Sequence, residues 1–586
     1  MVATVLAALA SGLAVLWGGT RMPIEPYYAA AAHAMSRDLH NFVFAAADWD
    51  GIVSIDKLPG GVWPSALSCA IFGTHTWAIV LPYALATVAS VVALYVAVRR
   101  LGGPAAGAVA AVSFALSPVV ICLGRGNIPD TIMVLLLVLA LGDTIAAAQL
   151  GRLGRLVRAG VWLGLAFEVK MLAAWLVLPA FAIGFALLAG LPWRRALGHL
   201  AAAGTTTAAV SLAWPVLVDL LPRAGRPYVD GTSNDSVLAQ TFLYNGFGRT
   251  GSATPNELLQ QQGLPLTIPV GEAGPLRLLT GAMAREGAWL LALCTLTVVV
   301  GTLARRGQPR TDPLRAGYLF LGLWAATYYA AFSVLPEINP YYVVAGAPAL
   351  AGIVGIGFAH ARLAHPPTAA RLAIVGAACG AATGIAIAYA GDSWVPATLV
   401  PITVIALGLA IVASIAHERG LIAPDRLLVC ATLAALVPAA VAAATVTWRG
   451  EGAVDVPLES QQSRAHTAMF FRDVIDQNAS LVSQLASDRH GEPVLFAAQS
   501  AALASIFAVH AQAEVYPIGG FDGMGPVPTL DQLKGDVAAG RFQLVIGLAR
   551  TEDPRMRWIA RACRAEHSSE GLLSVHVCAP SSARTP

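Results

Sequence analysis

The sequence predicts a polytopic α-helical membrane protein of about thirteen transmembrane helices, followed by one soluble α/β domain at the C-terminus. Three observations carry this. Of 586 residues, 56% are hydrophobic and only 12% charged, with a mean hydropathy of +0.66; a soluble chain carries roughly 25% charge. Apolar runs near the ~20 residues needed to cross a bilayer recur from residue 2 to residue 447. Beyond 447 the composition turns ordinary. The chain therefore divides into a membrane domain, 1–447, with two long external loops, 20–74 and 222–286, and a soluble domain, 448–586. A net charge of +3 is too small to imply a nucleic-acid partner.

The apolar runs lie near 2–19, 75–98, 105–123, 130–148, 159–190, 200–221, 287–303, 316–334, 341–359, 372–390, 397–415 and 427–447. Basic residues fall on alternate connections: Arg99 and Arg100; Arg152, Arg155 and Arg158; Arg194 and Arg195; Arg305, Arg306, Arg310 and Arg315; Arg362 and Arg371; Arg419 and Arg426. The intervening short loops near 334–340 and 391–396 hold no Lys or Arg, so the positive-inside rule makes the arginine loops cytoplasmic. Both ends of 159–190 carry cytoplasmic arginines, so this run crosses twice, as two short helices meeting near Lys170. The count is then thirteen, with the N-terminus inside and the C-terminal domain outside. The first run lacks a charged n-region and a clean small-residue cleavage site, and reads as a retained helix.

Cys69, Cys122, Cys294, Cys379 and Cys430 sit in or beside apolar runs and read as core residues. Cys563 and Cys578 fall in the external domain, where an oxidising compartment suits a disulfide; two free buried thiols are the alternative.

The external loops gather polar and aromatic residues. In 20–74, Glu25, Asp38, Asp48, Asp50, Asp56 and Lys57 interleave with Tyr27, Tyr28, Phe42, Phe44 and Trp49, a mixture that reads as helices in the membrane interface. In 222–286, Arg226-Pro-Tyr228, Ser233-Asn-Asp235 and Tyr244-Asn-Gly-Phe-Gly-Arg249 read as an ordered loop over the membrane surface. Arg125, Asp130 and Lys170 occupy short external turns. Asp130 follows Pro129 at a helix start, where an N-cap is the plain reading. For Lys170 the plain reading is snorkelling to the interface. Charges at membrane depth are costly and mark function, and the topology brings all of these to one face. His33 and His40 read as solvated interfacial residues. No HExxH, CxxC or phosphate-binding glycine loop occurs. No cofactor is called for, although a divalent cation is compatible with the carboxylates.

The order of these motifs resembles a family. Glu25-Pro-Tyr-Tyr-Ala-Ala-Ala, Asp56-Lys57-Leu58-Pro59-Gly60 with Trp63, Arg125-Gly-Asn127-Ile-Pro129-Asp130, Gly164-Leu-Ala-Phe-Glu-Val-Lys170, Tyr244-Asn245-Gly-Phe-Gly-Arg249, Asn339-Pro-Tyr341-Tyr342, Gly519-Gly-Phe521 and Pro528-Thr-Leu530 run through nearly the whole chain. The chain resembles the ArnT/protein-O-mannosyltransferase-like glycosyltransferases (family 39, GT-C superfamily). It is closest to the bacterial subgroup with an extracytoplasmic α/β tail. Leu58 stands where that subgroup has the first Pro of an Asp-Lys-Pro-Pro stretch. The resemblance implies a GT-C fold and transfer of a sugar from a polyprenyl-phosphate donor to a lipid or cell-wall glycan acceptor, on the outer face of the cytoplasmic membrane. It places Glu25, Asp56 and Asp130 as catalytic carboxylates. It places Lys57, Arg125, Asn127, Lys170, Tyr244, Asn245, Arg249, Tyr341 and Tyr342 at the donor phosphate or substrate. The residue types suit the chemistry: cations stabilise a departing phosphate, and a carboxylate takes the acceptor's proton in an inverting displacement.

In the tail, 493–497, 514–518 and 542–548 read as strands and 499–510 and 530–539 as helices, which predicts a small, mostly parallel sheet. The glycine-rich stretch 519–528 reads as a plain loop, with a role at the active site or on glycan as the alternative. A lipid-linked glycan transporter or flippase predicts internal repeats and polar helices at the midplane, and neither is seen. Dolichol-type oligosaccharide transfer to protein is a closer rival, but the characteristic tail motif of those enzymes is absent; protein O-glycosyl transfer is the other alternative. Ala/Arg richness points to a high-GC genome; for an actinobacterial source the expectation is cell-wall biogenesis by an arabinosyltransferase or mannosyltransferase.

Overall fold

The computed structural model describes residues 2–18, 24–250, 270–336, 338–390, 394–452, 455–460, 494–511, 513–548, 552–566 and 573–584; the side chains of 249–250, 510–511, 573 and 584 lie outside the described set. The chain forms two compact units. Unit 1 comprises Met1–Ile24, Val80–Leu212 and Pro269–Gln461, and unit 2 comprises Glu25–Ile79, Ala213–Ile268 and Gln462–Pro586. The segments 25–79 and 213–268 thus share a unit with the C-terminal segment. Composition alone does not show this grouping, because it depends on pairings between residues far apart in sequence.

Unit 1 is helical. Among the described residues of the whole chain, seven helices are long and apolar enough to cross a membrane, from Thr76–Ala115 to Pro424–Arg449, or eight if Gly281–Gly287 and Leu291–Ala304, bent by 62°, count as one span. The thirteen crossings expected from sequence include shorter elements, among them Val2–Leu16 and Leu172–Leu188. Thr76–Ala115 turns at Gly103, whose φ of 83° and ψ of 179° are not helical and are open to glycine. Pro104 then restarts the helix without needing the N–H it lacks.

The helices Asp130–Leu150 and Leu153–Lys170 form an antiparallel pair fastened at both ends. At one end Lys170 Nζ lies 2.5 Å from Asp130 Oδ2. At the other, Asp143 accepts from Arg158 at 2.5 and 2.6 Å, from Arg155 at 3.0 Å and from Trp162 Nε1 at 3.0 Å. A rise of 1.5 Å per residue puts the two carboxylates roughly 20 Å apart along the helix. Gly160 and Gly164 let the second helix approach Trp193–Leu220. A Cβ at Gly160 would sit 2.6 Å from Ala203 O, and one at Gly164 would sit 2.5 Å from Val210 Cβ. The run 159–190 breaks at Met171, at φ 49° and ψ −133°, so that one helix ends on Lys170 and the next starts at Leu172.

Unit 2 holds a five-stranded sheet of β1 (Phe496–Gln499), β2 (Val515–Ile518), β3 (Leu544–Leu548), β4 (Arg564–Glu566) and β5 (Leu573–Val577), in the order β2-β1-β3-β5-β4. The sheet is parallel across β2-β1-β3 and antiparallel at β3-β5 and β5-β4. The expected mostly parallel sheet is therefore mixed. Too few residues separate β4 from β5 for the crossover of a dozen or more that a parallel pair requires. Side chains alternate between two cores: Phe496, Leu544, Ile546 and Leu548 pack with Leu503 and Phe507, whereas Ala497 and Val545 pack with Leu533, Trp558 and Ile559. Helices thus cover both faces, as parallel strands demand. Cys563 and Cys578 are disulfide-bonded, joining the end of helix Pro554–Ala562 to the residue after β5.

The segment 25–79 is built into this unit rather than into isolated helices. Ile52 packs against the Leu533 and Trp558 core, Arg541 pairs with Asp50, and Val53 bridges Tyr228. Asp48 ties the turn by accepting the N–H groups of Asp50, Ile52 and Val53.

Candidate functional site

Each unit presents its own carboxylate–lysine pair. In unit 1, Lys170 closes its helix and Asp130 opens the neighbouring one, and their side chains are only 7% and 2% exposed. Asp130 makes no capping bond to its own helix; its carboxylate goes to Lys170 instead. Nor does Lys170 snorkel. Its ammonium sits 4.5 Å from the ring centre of Tyr342 and 5.5 Å from that of Tyr341. These tyrosines lie in the 3-10 turn Pro340–Gly346, and Asn339 Nδ2 donates to Tyr342 OH at 3.3 Å. Aromatic faces and a carboxylate fix the ammonium in place.

In unit 2, Lys57 Nζ donates to both oxygens of Asp56, at 2.8 and 2.6 Å, with Asp56 only 1% exposed. The Asp56 N–H donates to Tyr27 OH at 2.9 Å, and Asn245 Nδ2 donates to Asp56 O at 2.7 Å. The Lys57 ammonium lies 5.6 Å from the ring centres of both Tyr28 and Phe521. Glu25 is the N-cap of helix Pro26–Arg37, its Oε2 accepting Tyr28 N–H at 2.7 Å. Burial pushes its carboxyl up to about 7, against the opposing pull of the Tyr28 and Tyr27 N–H groups and of Lys57. Tyr244 and Asn245 follow Gln240, whose Nε2 donates to Ile55 O at 2.8 Å and Asp230 O at 3.0 Å. Gly231 packs flat on the Tyr244 ring, where a Cβ would come within 2.6 Å.

Three predicted residues stand apart from these pairs. Arg125 is buried, with Nε donating to Glu451 O at 3.0 Å and Nη1 to Ala14 O at 2.6 Å. It braces backbone in unit 1. Asn127 is buried close by in sequence. Arg249 falls in the turn Phe247–Thr250, and its side chain lies outside the described residues. His33 packs its ring edge-on to Trp49 at 4.8 Å, with burial pushing it down to about 4, and His40 Nε2 bonds Gly225 O at 2.7 Å.

Residues 56–218 match the family model described as dolichyl-phosphate-mannose-protein mannosyltransferase, and residues 481–562 match one described as "Putative mannosyltransferase YkcB-like, C-terminal". Two Bacillus subtilis (strain 168) proteins are similar over most of the chain. "Putative mannosyltransferase YycA" is 25% identical over 88% of this chain and 87% of its own. "Putative mannosyltransferase YkcB" is 26% identical over 90% and 86%. The fold matches ArnT from Cupriavidus metallidurans bound to undecaprenyl phosphate with a TM-score of 0.60 at 16% identity, over 98% of this chain and 97% of that one. The apo form of the same protein gives 0.59 at 17% identity, over 100% and 99%. The chain is thus similar in sequence to mannosyltransferases over most of its length and shares the fold of ArnT.

Asp56, Lys57, Asp130 and Lys170 all fall inside the matched segment 56–218. A signal for both cations lies in the sequence. Lysine occurs only at positions 57, 170 and 534, in a chain with 37 basic residues, so the two site lysines stand out by residue type. Asp230 has no comparable local signal. Asp230 is buried and accepts Phe521 N–H at 2.7 Å across 291 residues of sequence. The turn that reads as a plain loop is thereby part of the Asp56–Lys57 surroundings. Asp235, in the motif that does stand out, accepts from Arg226 at 3.0 Å and Val229 N–H at 2.8 Å and serves to close its own turn.

Proposed function

We propose that this glycosyltransferase moves a sugar from a polyprenyl-phosphate donor to a cell-envelope acceptor on the outer face of the cytoplasmic membrane, by inverting displacement. One observation carries the reading: both carboxylate–lysine pairs, each with its carboxylate buried, lie within the segment that matches the mannosyltransferase family. The mannose named by that family and by both Bacillus relatives favours polyprenyl-phosphate mannose as donor over a pentosyl donor.

In the proposed reaction the acceptor hydroxyl oxygen forms a bond to the anomeric carbon while the bond from that carbon to the phosphate oxygen breaks. The phosphate departs with the electron pair, and the hydroxyl proton passes to a carboxylate. Lys57 and Lys170 are the candidates for the growing negative charge on phosphate, each held by its carboxylate. A fixed charge in a partly dry place stabilises a transition state without reorganisation. Asp56, which gives both oxygens to Lys57, orients that cation. Glu25, raised to about 7, suits the general base, because a base works best with its pKa near the working pH.

Turnover of a panel of polyprenyl-phosphate sugars by the purified protein tests this. Lys57→Ala and Lys170→Ala should each cut turnover per folded molecule at least tenfold, equivalent to about 1.4 kcal/mol of transition-state stabilisation. Lys→Arg should be milder but not silent, since a planar fork replaces a point charge. Wild-type turnover in both alanine variants refutes the assignment. Movement of an intact lipid-linked glycan with no cleavage of the sugar–phosphate bond favours the flippase reading instead.

A further inference from the structure

We propose that the C-terminal segment supplies a working part of the Asp56–Lys57 site, with Asp230 holding the 519–523 turn so that Phe521 positions the Lys57 ammonium. The inference rests on the reading of Lys57 as a donor-phosphate ligand and goes beyond it by giving the tail a function.

The turn is fixed from both sides. Asp230 Oδ2 accepts Phe521 N–H at 2.7 Å, and its Oδ1 accepts Gly231 N–H at 2.8 Å. Phe521 O accepts Ser500 Oγ–H at 2.6 Å, so both backbone polar groups of Phe521 are committed. Asp230 is itself held, its N–H donating to Ser54 Oγ at 3.2 Å. The approach admits no larger residue than glycine at the contact. Gly520 has φ +69°, and a Cβ there would lie 2.0 Å from Asp230 Oδ1. The Phe521 ring meets Tyr27 edge-on at 4.9 Å and 69°. Tyr27 OH in turn accepts the N–H of Asp56, the carboxylate that grips Lys57. Phe521 and Tyr28 lie equally far from the Lys57 ammonium, at 5.6 Å. Burial, with Asp522 and Asp56 nearby, pushes the Asp230 carboxyl well above the ordinary carboxylate range. Such a group persists in a buried place only where its hydrogen bonds are made. Asp230 is thus a positioning residue that acts on the lysine through Phe521.

The scarcity of lysine makes a direct test simple. The full-length protein is treated with a water-soluble amine-acylating reagent, and labelling at Lys57, Lys170 and Lys534 is quantified by mass spectrometry for wild type, Phe521→Leu, Phe521→Tyr, Asp230→Ala and Gly520→Ala. Phe521→Leu, Asp230→Ala and Gly520→Ala should each raise Lys57 labelling at least threefold with Lys534 unchanged, and should cut turnover at least fivefold per folded molecule. Phe521→Tyr should restore both, which a purely structural contribution to folding would not require. Wild-type Lys57 labelling in Phe521→Leu and Gly520→Ala overturns the proposal. Raised labelling in a protein that transfers no sugar from any polyprenyl-phosphate donor upholds the positioning while refuting the glycosyltransferase reading.

Discussion

Glu25 shows how one residue's surroundings set its chemistry. It caps a helix, but burial dominates and pushes its carboxyl up to about 7 from an ordinary 4.5. A group raised in the fold favours the protonated form. Its contribution to stability is therefore full below pH 4.5 and is lost as pH climbs through about 7. The proposed role of general base requires the ionised form, so turnover should rise between pH 6 and 8 with an apparent pKa about 7, and Glu25→Gln should abolish that limb. A pH profile of wild type with no inflection there removes Glu25 from the role. Asp130 and Lys170 allow structure and chemistry to be separated. Asp130→Ala removes the carboxylate that accepts from the buried Lys170 ammonium and should cost about 3–5 kcal/mol, whereas Asp130→Leu with Lys170→Met should recover most of that loss while remaining inactive. Thermal unfolding beside turnover measures this; an active double variant makes the pair a structural clasp only.

At the scale of elements, the pair Asp130–Leu150 and Leu153–Lys170 is held by charge at its ends and by small residues along one side. Gly164→Val should strain the approach to Val210 and cost about 1–3 kcal/mol, read as a lower melting temperature. Gly154, with nothing within 4 Å of a built Cβ, should tolerate alanine. The Cys563–Cys578 bond closes a loop of 15 residues. Replacing both cysteines by serine should destabilise the sheet by about 3 kcal/mol, visible as faster proteolysis of the C-terminal segment. Much of this level was legible in advance. The strands at 496–499, 515–518 and 544–548 follow apolar runs of strand length, and the break at Met171 falls where alternating arginine loops require a turn. The antiparallel edge was not legible, because strand direction depends on connection length and neighbours rather than on local pattern.

At the scale of the whole molecule, the arginine loops are expected inside and the C-terminal sheet outside. With the exposed Cys430 and half-buried Cys379 replaced by serine, a cysteine at the exposed Ala538 should label from the extracytoplasmic side and one at the exposed Arg310 only after permeabilisation. The reverse pattern refutes the orientation. Some arginines on the expected inside are paired, Arg305 with Asp312 and Arg362 with Asp425, but the rule counts Lys and Arg and gives acids little weight. The sequence by itself determined the membrane class, the positions of the apolar elements and the resemblance to GT-C enzymes, because hydropathy, charge placement and motif order are written along one dimension. Only the tertiary structure decided that Asp130 answers Lys170 rather than its own helix, that Arg125 braces backbone, that 25–79 and 213–268 join the C-terminal segment in one unit, and that Asp230 fastens Phe521. Those pairings span 40 to 326 residues of chain and form only when packing brings buried polar groups to partners that repay their loss of water.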